Sequence, residues 1–273
     1  MERGLQTSEM SQSEALEDRV MVGIERPSGL SGVRVERTER RIRGYRAGEL
    51  VVDSRHALLV FEPRRLPVYY FPPTDVRMDL LVEKPQAGEG EKVRWDLRIG
   101  GLLAENAAWS YRHAQGEREP LAGHVAFYWK QMDAWFEEDE EVFVHPRDPY
   151  HRVDVLHSSR HVKVVVDGEV VAETRRPRLL FETGLPTRYY IPKTDVRLDL
   201  LEPTDTVTAC PYKGQARYWA VRAGGDVRPD LVWAYPAPIP ECPKIENLLS
   251  FYNEKVDIYV DGELQERPKT PWS

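Results

Sequence analysis

The chain predicts an all-β protein made of two tandem copies of one small domain, with little helix. Three observations carry this: an internal repeat, a period-two alternation of apolar and polar residues, and Asp-Gly pairs placed as hairpin turns. Residues 48–81 align without a gap on residues 168–201 at a constant offset of 120, and 17 of the 34 positions are identical. The densest part sets Thr74-Asp75-Val76-Arg77-Met78-Asp79-Leu80-Leu81 against Thr194-Asp195-Val196-Arg197-Leu198-Asp199-Leu200-Leu201. The match resumes at an offset of 124, pairing Trp95 with Trp219, Gly100-Gly101 with Gly224-Gly225, Trp109 with Trp233, Tyr111 with Tyr235 and Phe127-Tyr128 with Phe251-Tyr252. Solenoid and propeller repeats run to about 20 to 50 residues, so a unit of more than about 100 is a duplicated globular domain.

In chain order, residues 1–32 are rich in Ser, Glu and Gly, have no counterpart between the copies, and are expected to be a mobile tail. The first domain is expected over 33–138. Its basic stretch from Arg34 to Arg46 reads as a solvated strand edge. A linker follows at 139–152, marked by clustered acidic residues around Glu137–Glu141 and by Pro146 and Pro149. The second domain is expected over 153–267. Within it, Val162–Ala172 reads as a hairpin whose Asp167-Gly168 supplies the positive φ angles of a tight turn, and Val256–Gly262 repeats the device. One helical spacing occurs: Ile245, Leu248, Leu249 and Tyr252 stand at i, i+3, i+4 and i+7 behind a proline, which predicts a short helix capping the sheet.

Composition narrows the class of function. With 273 residues, 41% hydrophobic and 30% charged, the chain fits two soluble globular domains. A net charge of −7 opposes nucleic-acid binding. No apolar run approaches the ~20 residues of a membrane span, and the N-terminus has no signal-peptide core, so a cytoplasmic location is expected. Cys210 and Cys242 are too few for a disulfide framework or a four-cysteine zinc site, and neither a metal nor a cofactor is expected.

The string Tyr189-Tyr190-Ile191-Pro192-Lys193-Thr194-Asp195-Val196-Arg197, followed by Cys210-Pro211-Tyr212-Lys213-Gly214, Tyr218-Trp219, Trp233-Ala234-Tyr235-Pro236 and Phe251-Tyr252, resembles the family known as domain of unknown function four-two-seven. The resemblance covers nearly all of 153–265. The first copy keeps Tyr69-Tyr70-Phe71-Pro72, Asp75, Arg77, Trp95, Trp109 and Tyr111 but lacks the Cys-Pro-x-Lys-Gly segment. The resemblance implies two antiparallel sheets pinned at one edge, a tent-like arrangement shared with zinc-binding aromatic-cage domains. A nucleotidyltransferase-like label sometimes attached to the family has no catalytic set here, such as paired carboxylates beside a Gly-Ser.

Several residues have both a functional and a structural reading. Asp195 and Arg197, on a strand, project to one face and either clamp an anionic ligand or hold the fold as an ion pair; Asp75 and Arg77 are their twins. Tyr189, Tyr190, Trp219, Trp233 and Tyr235 are numerous enough to line a pocket and equally suited to a core. Cys210 beside Lys213 is a candidate nucleophile, because an ammonium stabilises a thiolate; the alternative is a small apolar loop residue. Lys213-Gly214 offers a cation to an anion, and as a loop lysine is expected to contribute little to stability. His145, His151, His157 and His161 lack a helical metal spacing and read as surface residues.

The phosphate-loop, dinucleotide, serine-hydrolase and zinc-protease motifs are missing. The expected function is therefore binding of a small molecule in an aromatic pocket with a polar rim, best preserved in the second copy. The alternatives are an enzyme on a small anionic or nucleotide-like substrate using Cys210 or Asp195, and a purely structural first copy.

Overall fold

The computed structural model describes residues 32–63, 65–85 and 92–273. The tail expected at 1–32 thus lies outside the described residues except for Gly32, as does 86–91 within the segment where the two copies differ in length.

Each copy contains a seven-stranded and a four-stranded antiparallel sheet. In the first copy the large sheet runs, in spatial order, Arg34–Arg37, Leu58–Phe61, Val68–Phe71, Val125–Phe127, Leu102–Tyr111, Lys92–Ile99 and Leu81–Glu83. The small sheet runs Glu140–Glu141, Ala134–Glu137, Ile42–Arg46 and Glu49–Ser54. The second copy repeats both orders. Its large sheet is Val153–His157, Arg178–Glu182, Arg188–Ile191, Leu249–Phe251, Asp226–Ala234, Gly214–Ala223 and Leu201–Cys210, and its small sheet is Glu263–Leu264, Asp257–Val260, Val162–Val166 and Glu169–Thr174. Among the described residues no helix is long and apolar enough to cross a membrane.

The hairpin turns follow from their residues. Asp167 and Gly168 have φ of 48° and 84°, and Asp261 and Gly262 have 54° and 91°, the paired positive angles whose twist matches that of the flanking strands.

The expected helix around Ile245–Tyr252 does not form. Pro243–Ile245 makes a single 3-10 turn, and Leu249–Phe251 is a strand inside the large sheet, bonded to Arg188–Ile191 on one side and Asp226–Ala234 on the other. The helical spacing of its apolar residues arises because both faces of this strand are buried.

The same is true of the large sheet as a whole. Between the sheets lies one apolar core per copy, built around Phe71, Leu97 and Trp135 in the first and Ile191, Val221 and Phe251 in the second. On the outer face of each large sheet lies a second cluster, with Tyr70 and Trp109 in the first copy and Tyr190 and Trp233 in the second. Adjacent strand residues face opposite sides, so Tyr190 points outward while Ile191 enters the inter-sheet core.

The most repeated string is where the two sheets are pinned together. It is not the strand expected for it but two 3-10 turns, Lys193–Asp195 and Leu198–Leu200, flanking an isolated bridge from Val196 to Ala172 of the small sheet. The Arg197 amide donates to the Val171 carbonyl at 2.9 Å, and the Asp195 carboxylate accepts from the Thr174 hydroxyl at 2.7 Å. The first copy makes the same staple: Val76 bridges Val52, the Arg77 amide donates to Val51 at 2.8 Å, and Asp75 accepts from Ser54 at 2.7 Å.

The linker is packed rather than extended away. Tyr150 lies edge-on to Phe61 with centroids 5.8 Å apart, sandwiches the Arg34 guanidinium against it, and donates its hydroxyl to Glu36 at 2.9 Å. Arg147 bonds Glu137 of the first copy at 3.2 Å and Glu241 of the second at 3.3 Å.

Candidate functional site

Strand register across the second large sheet places one row of side chains on its outer face. Leu180 stands opposite Arg188, Tyr190 opposite Ser250, Ser250 opposite Trp233, and Trp233 opposite Tyr218. Residues directly opposite in antiparallel strands share a face, and so do residues two apart along one strand. Glu182, Tyr235 and Tyr252 therefore join the row. A cavity of about 740 Å³ opens over it. Its aromatic wall is held by a specific contact: the Trp233 indole N–H donates to the Tyr190 hydroxyl at 3.1 Å, and the Trp233 and Tyr252 rings lie 4.6 Å apart.

The polar end of the cavity is built from the Cys210–Gly214 hairpin tip and the linker. Gly214 has φ of 99°, and a Cβ there would stand 3.2 Å from the Ala237 carbonyl oxygen, so the tip seats tightly on the 237–242 segment. This turns Lys213 inward, where its ammonium donates to Glu182 at 2.5 Å. His151 bonds the other carboxylate oxygen at 3.0 Å, and its ring stacks on Tyr212 at 4.0 Å. Burial alone would raise the Glu182 carboxyl, but Lys213 and His151 outweigh it and hold it at about 2. Burial likewise lowers Lys213, and the neighbouring Cys210, Glu182 and Tyr190 more than offset this, so the ammonium persists. Burial pushes the Tyr190 and Tyr235 hydroxyls upward, and both stay protonated. Cys210 is half-buried and lines the cavity, whereas Cys242 is buried and its thiol is pushed up to about 11 by that burial.

A second buried pair closes one side. Arg188 meets Glu254 through two bonds of 2.7 Å, and its guanidinium lies 5.5 Å from the Trp233 ring and 5.8 Å from that of Trp272. Thr270 adds a hydroxyl bond to Glu254 at 2.6 Å, which fixes the C-terminal segment carrying Trp272 at the cavity mouth.

The first copy has a cavity at the equivalent place, of about 400 Å³, over Tyr70, Trp109, Tyr111 and Tyr128. These occupy the positions of Tyr190, Trp233, Tyr235 and Tyr252, and Trp109 again donates to Tyr70 at 3.1 Å. Glu62 takes the place of Glu182, but its partners are Arg118 at 2.8 Å and Arg65 at 3.0 Å.

Of the residues singled out by sequence, Tyr190, Cys210, Lys213, Trp233 and Tyr235 come together around the second cavity. Tyr189 and Trp219 face the inter-sheet core instead. Asp195 is engaged by Arg176 and Thr174, and the Arg176 bond holds its carboxyl well below the usual range. Arg197 forms a two-bond pair with Asp199 at 2.8 and 2.6 Å and does not meet Asp195. Two further expectations are corrected. His151 is not a surface histidine but a partner of Glu182, and Lys213 is a buried member of an ion pair rather than a weakly held loop cation. Sequence reasoning missed Glu182 and Arg188. The signal for the first was present, since Phe61-Glu62 recurs as Phe181-Glu182 at the end of an apolar strand.

A duplicated two-sheet domain with a matching cavity in each copy is the class of protein that these features define. The chain belongs to the family described as Domain of unknown function (DUF427), whose profile matches residues 34–138 and again 154–262. No curated protein matches the chain.

Proposed function

We propose that the second copy binds a small, planar, largely apolar and uncharged molecule between the Trp233, Tyr235 and Tyr252 rings, anchored by hydrogen bonds at the Lys213–Glu182 end. The observation that carries this is charge balance around an aromatic cavity. The lining cations Arg34, Arg188 and Lys213 are each paired with a carboxylate, Glu36, Glu254 and Glu182 in turn, and the lining carboxylate of Asp148 accepts from the Tyr150 amide at 2.8 Å. An ionic ligand entering there loses hydration without gaining an uncompensated countercharge, which is costly. A flat neutral molecule gains apolar burial on the rings and meets a few directional polar groups, the usual make-up of a small-molecule site. Free thiols at Cys210 and Cys242 suit a reducing compartment, and we place the protein in the cytoplasm on that ground.

Thr208 lines the cavity on the face of Tyr218, whose hydroxyl it meets at 2.8 Å, and Thr208→Trp sets a large ring over that wall while leaving Lys213, Glu182, Arg188 and Glu254 in place. Native mass spectrometry after incubation with a cellular small-molecule extract is expected to retain an uncharged aromatic compound on the wild-type chain and none on Thr208→Trp. At a hundredfold excess over Kd the purified compound should stabilise the fold by about 2.7 kcal/mol. Equal retention by the two chains, or retention of anions alone, contradicts the reading.

A further inference from the structure

We infer that residues 268–273 form a movable cover over the second cavity, with Trp272 as the side chain that closes its mouth. The role of this segment as a cover rests on the second-copy binding reading, whereas its motion is measured without any ligand, so the two can fail separately. Each copy lays the chain that leaves its small sheet against its own cavity. After the strand Glu140–Glu141 the Val142 amide donates to the Trp135 carbonyl at 2.8 Å, and Val144, His145 and Pro146 then line the first cavity. After Glu263–Leu264 the Gln265 amide donates to the Ile258 carbonyl at 2.8 Å, and Trp272 then lines the second.

The two segments differ in how they are held. The first is fixed from both sides: the Arg147 amide donates to Glu137 at 3.2 Å, the Arg147 side chain reaches both Glu137 and Glu241, and the Asp148 amide donates to the Tyr212 hydroxyl at 2.9 Å. The second is bonded mainly to itself. The Ser273 hydroxyl donates to the Pro268 carbonyl at 3.3 Å and accepts from the Thr270 amide at 2.9 Å, while the Ser273 amide donates to the Thr270 carbonyl at 3.1 Å. These bonds, with the fixed φ of Pro268 and Pro271, make a small unit that moves as one piece. Among the described residues, the hydrogen bond that joins this unit to the rest of the domain is that of the Thr270 hydroxyl to Glu254 at 2.6 Å, and the ring contact is that of Trp272 with the Arg188 guanidinium at 5.8 Å. No residue of 268–273 is buried, and Trp272 is 39% exposed. A segment with few buried apolar contacts and one polar tether opens readily. A flat compound in the cavity gives the Trp272 ring an apolar surface to cover, so closure is favoured when the site is filled.

The test uses the thiol of Cys210, which lines the cavity, with the 2% exposed Cys242 as the internal control. N-phenylmaleimide is a flat, uncharged reagent that has to pass the cover, and methyl methanethiosulfonate is a small one that does not need it open. Peptide mapping by mass spectrometry reads the rate at each cysteine of the full-length protein. Thr270→Val and Trp272→Ala are each expected to raise the N-phenylmaleimide rate at Cys210 roughly tenfold, the population change that follows loss of one hydrogen bond to a carboxylate. Trp272→Phe should stay near the wild-type rate, and the methanethiosulfonate rate should be the same in all four chains. Hydrogen exchange on the unsubstituted protein gives a second measurement, with the amides of 269–273 expected to exchange far faster than those of Arg188–Ile191. Equal maleimide rates in variants and wild type, acceleration of both reagents alike, or amides over 269–273 as protected as those of the strand would overturn the inference. Failure of the wild type to retain any compound from extract would count against the binding reading and leave these rates to decide the motion.

Discussion

Lys213→Ala is expected to destabilise the second domain by about 3 to 5 kcal/mol, the usual cost of breaking a buried ion pair and leaving one partner charged. The two side chains are 10% and 5% exposed, so solvent cannot replace the lost bond. The pH dependence carries the sign. In the wild type the Glu182 carboxyl lies at about 2 against an ordinary 4.5, so its contribution is complete above about pH 4.5 and is lost as pH falls toward 2. That contribution is on the order of 3 kcal/mol, at about 1.4 kcal/mol per pH unit. With Lys213 removed, burial raises the same carboxyl, and the deficit of the variant relative to wild type should be largest at neutral pH and shrink on acidification. Urea titrations at pH 7 and pH 4 check this. The double variant Lys213→Met/Glu182→Leu should recover most of the loss, because it removes both charges and keeps the volume. A Lys213→Ala variant as stable as the wild type would show that the pair is solvated and that the cavity end is not built as described.

Trp233→Ala is expected to cost about 3 to 5 kcal/mol, the range for deleting a large buried aromatic. Its ring is 7% exposed, packs on Tyr252, lies beside the Arg188 guanidinium, and donates to the Tyr190 hydroxyl, which the substitution leaves without that donor. The variant should also lose any compound held by the second copy. Trp109→Ala makes the same deletion in the first copy, where the ring is 6% exposed and lies 4.4 Å from Tyr128. It should lower the stability of the first domain by a similar amount and leave second-copy binding intact. Loss of that binding in Trp109→Ala would mean that the two cavities act as one site. Urea unfolding with a binding assay on each variant separates these outcomes.

What the sequence revealed and what it hid have the same physical origin. The duplication, the all-β class and the Asp-Gly hairpins depend on local chemistry and on identity between copies, and all are present in the fold. Tyr189 and Tyr190 were not separable, because the large sheet is buried on both faces and alternation then carries no label for inside or outside. Trp219 reads as a pocket residue from sequence for the same reason, while its neighbour Tyr218 is the residue that lines the cavity. The identity of Asp195-Val196-Arg197 with its twin suggested a site, yet the string repeats because each copy needs the same staple between its sheets. His151, Glu182 and Arg188 come from the linker and two separate strands, and only the folded register brings them to Lys213 and Trp233.

The most direct test of the central claim is a crystal structure of the protein soaked with the uncharged compound captured from extract. Density for the compound is expected between Trp233, Tyr235 and Tyr252, with a polar edge within hydrogen-bond distance of Lys213 or Glu182 and the Arg188–Glu254 pair unbroken. Density at the Asp195 and Arg197 surface, with the second cavity filled only by water, would contradict it.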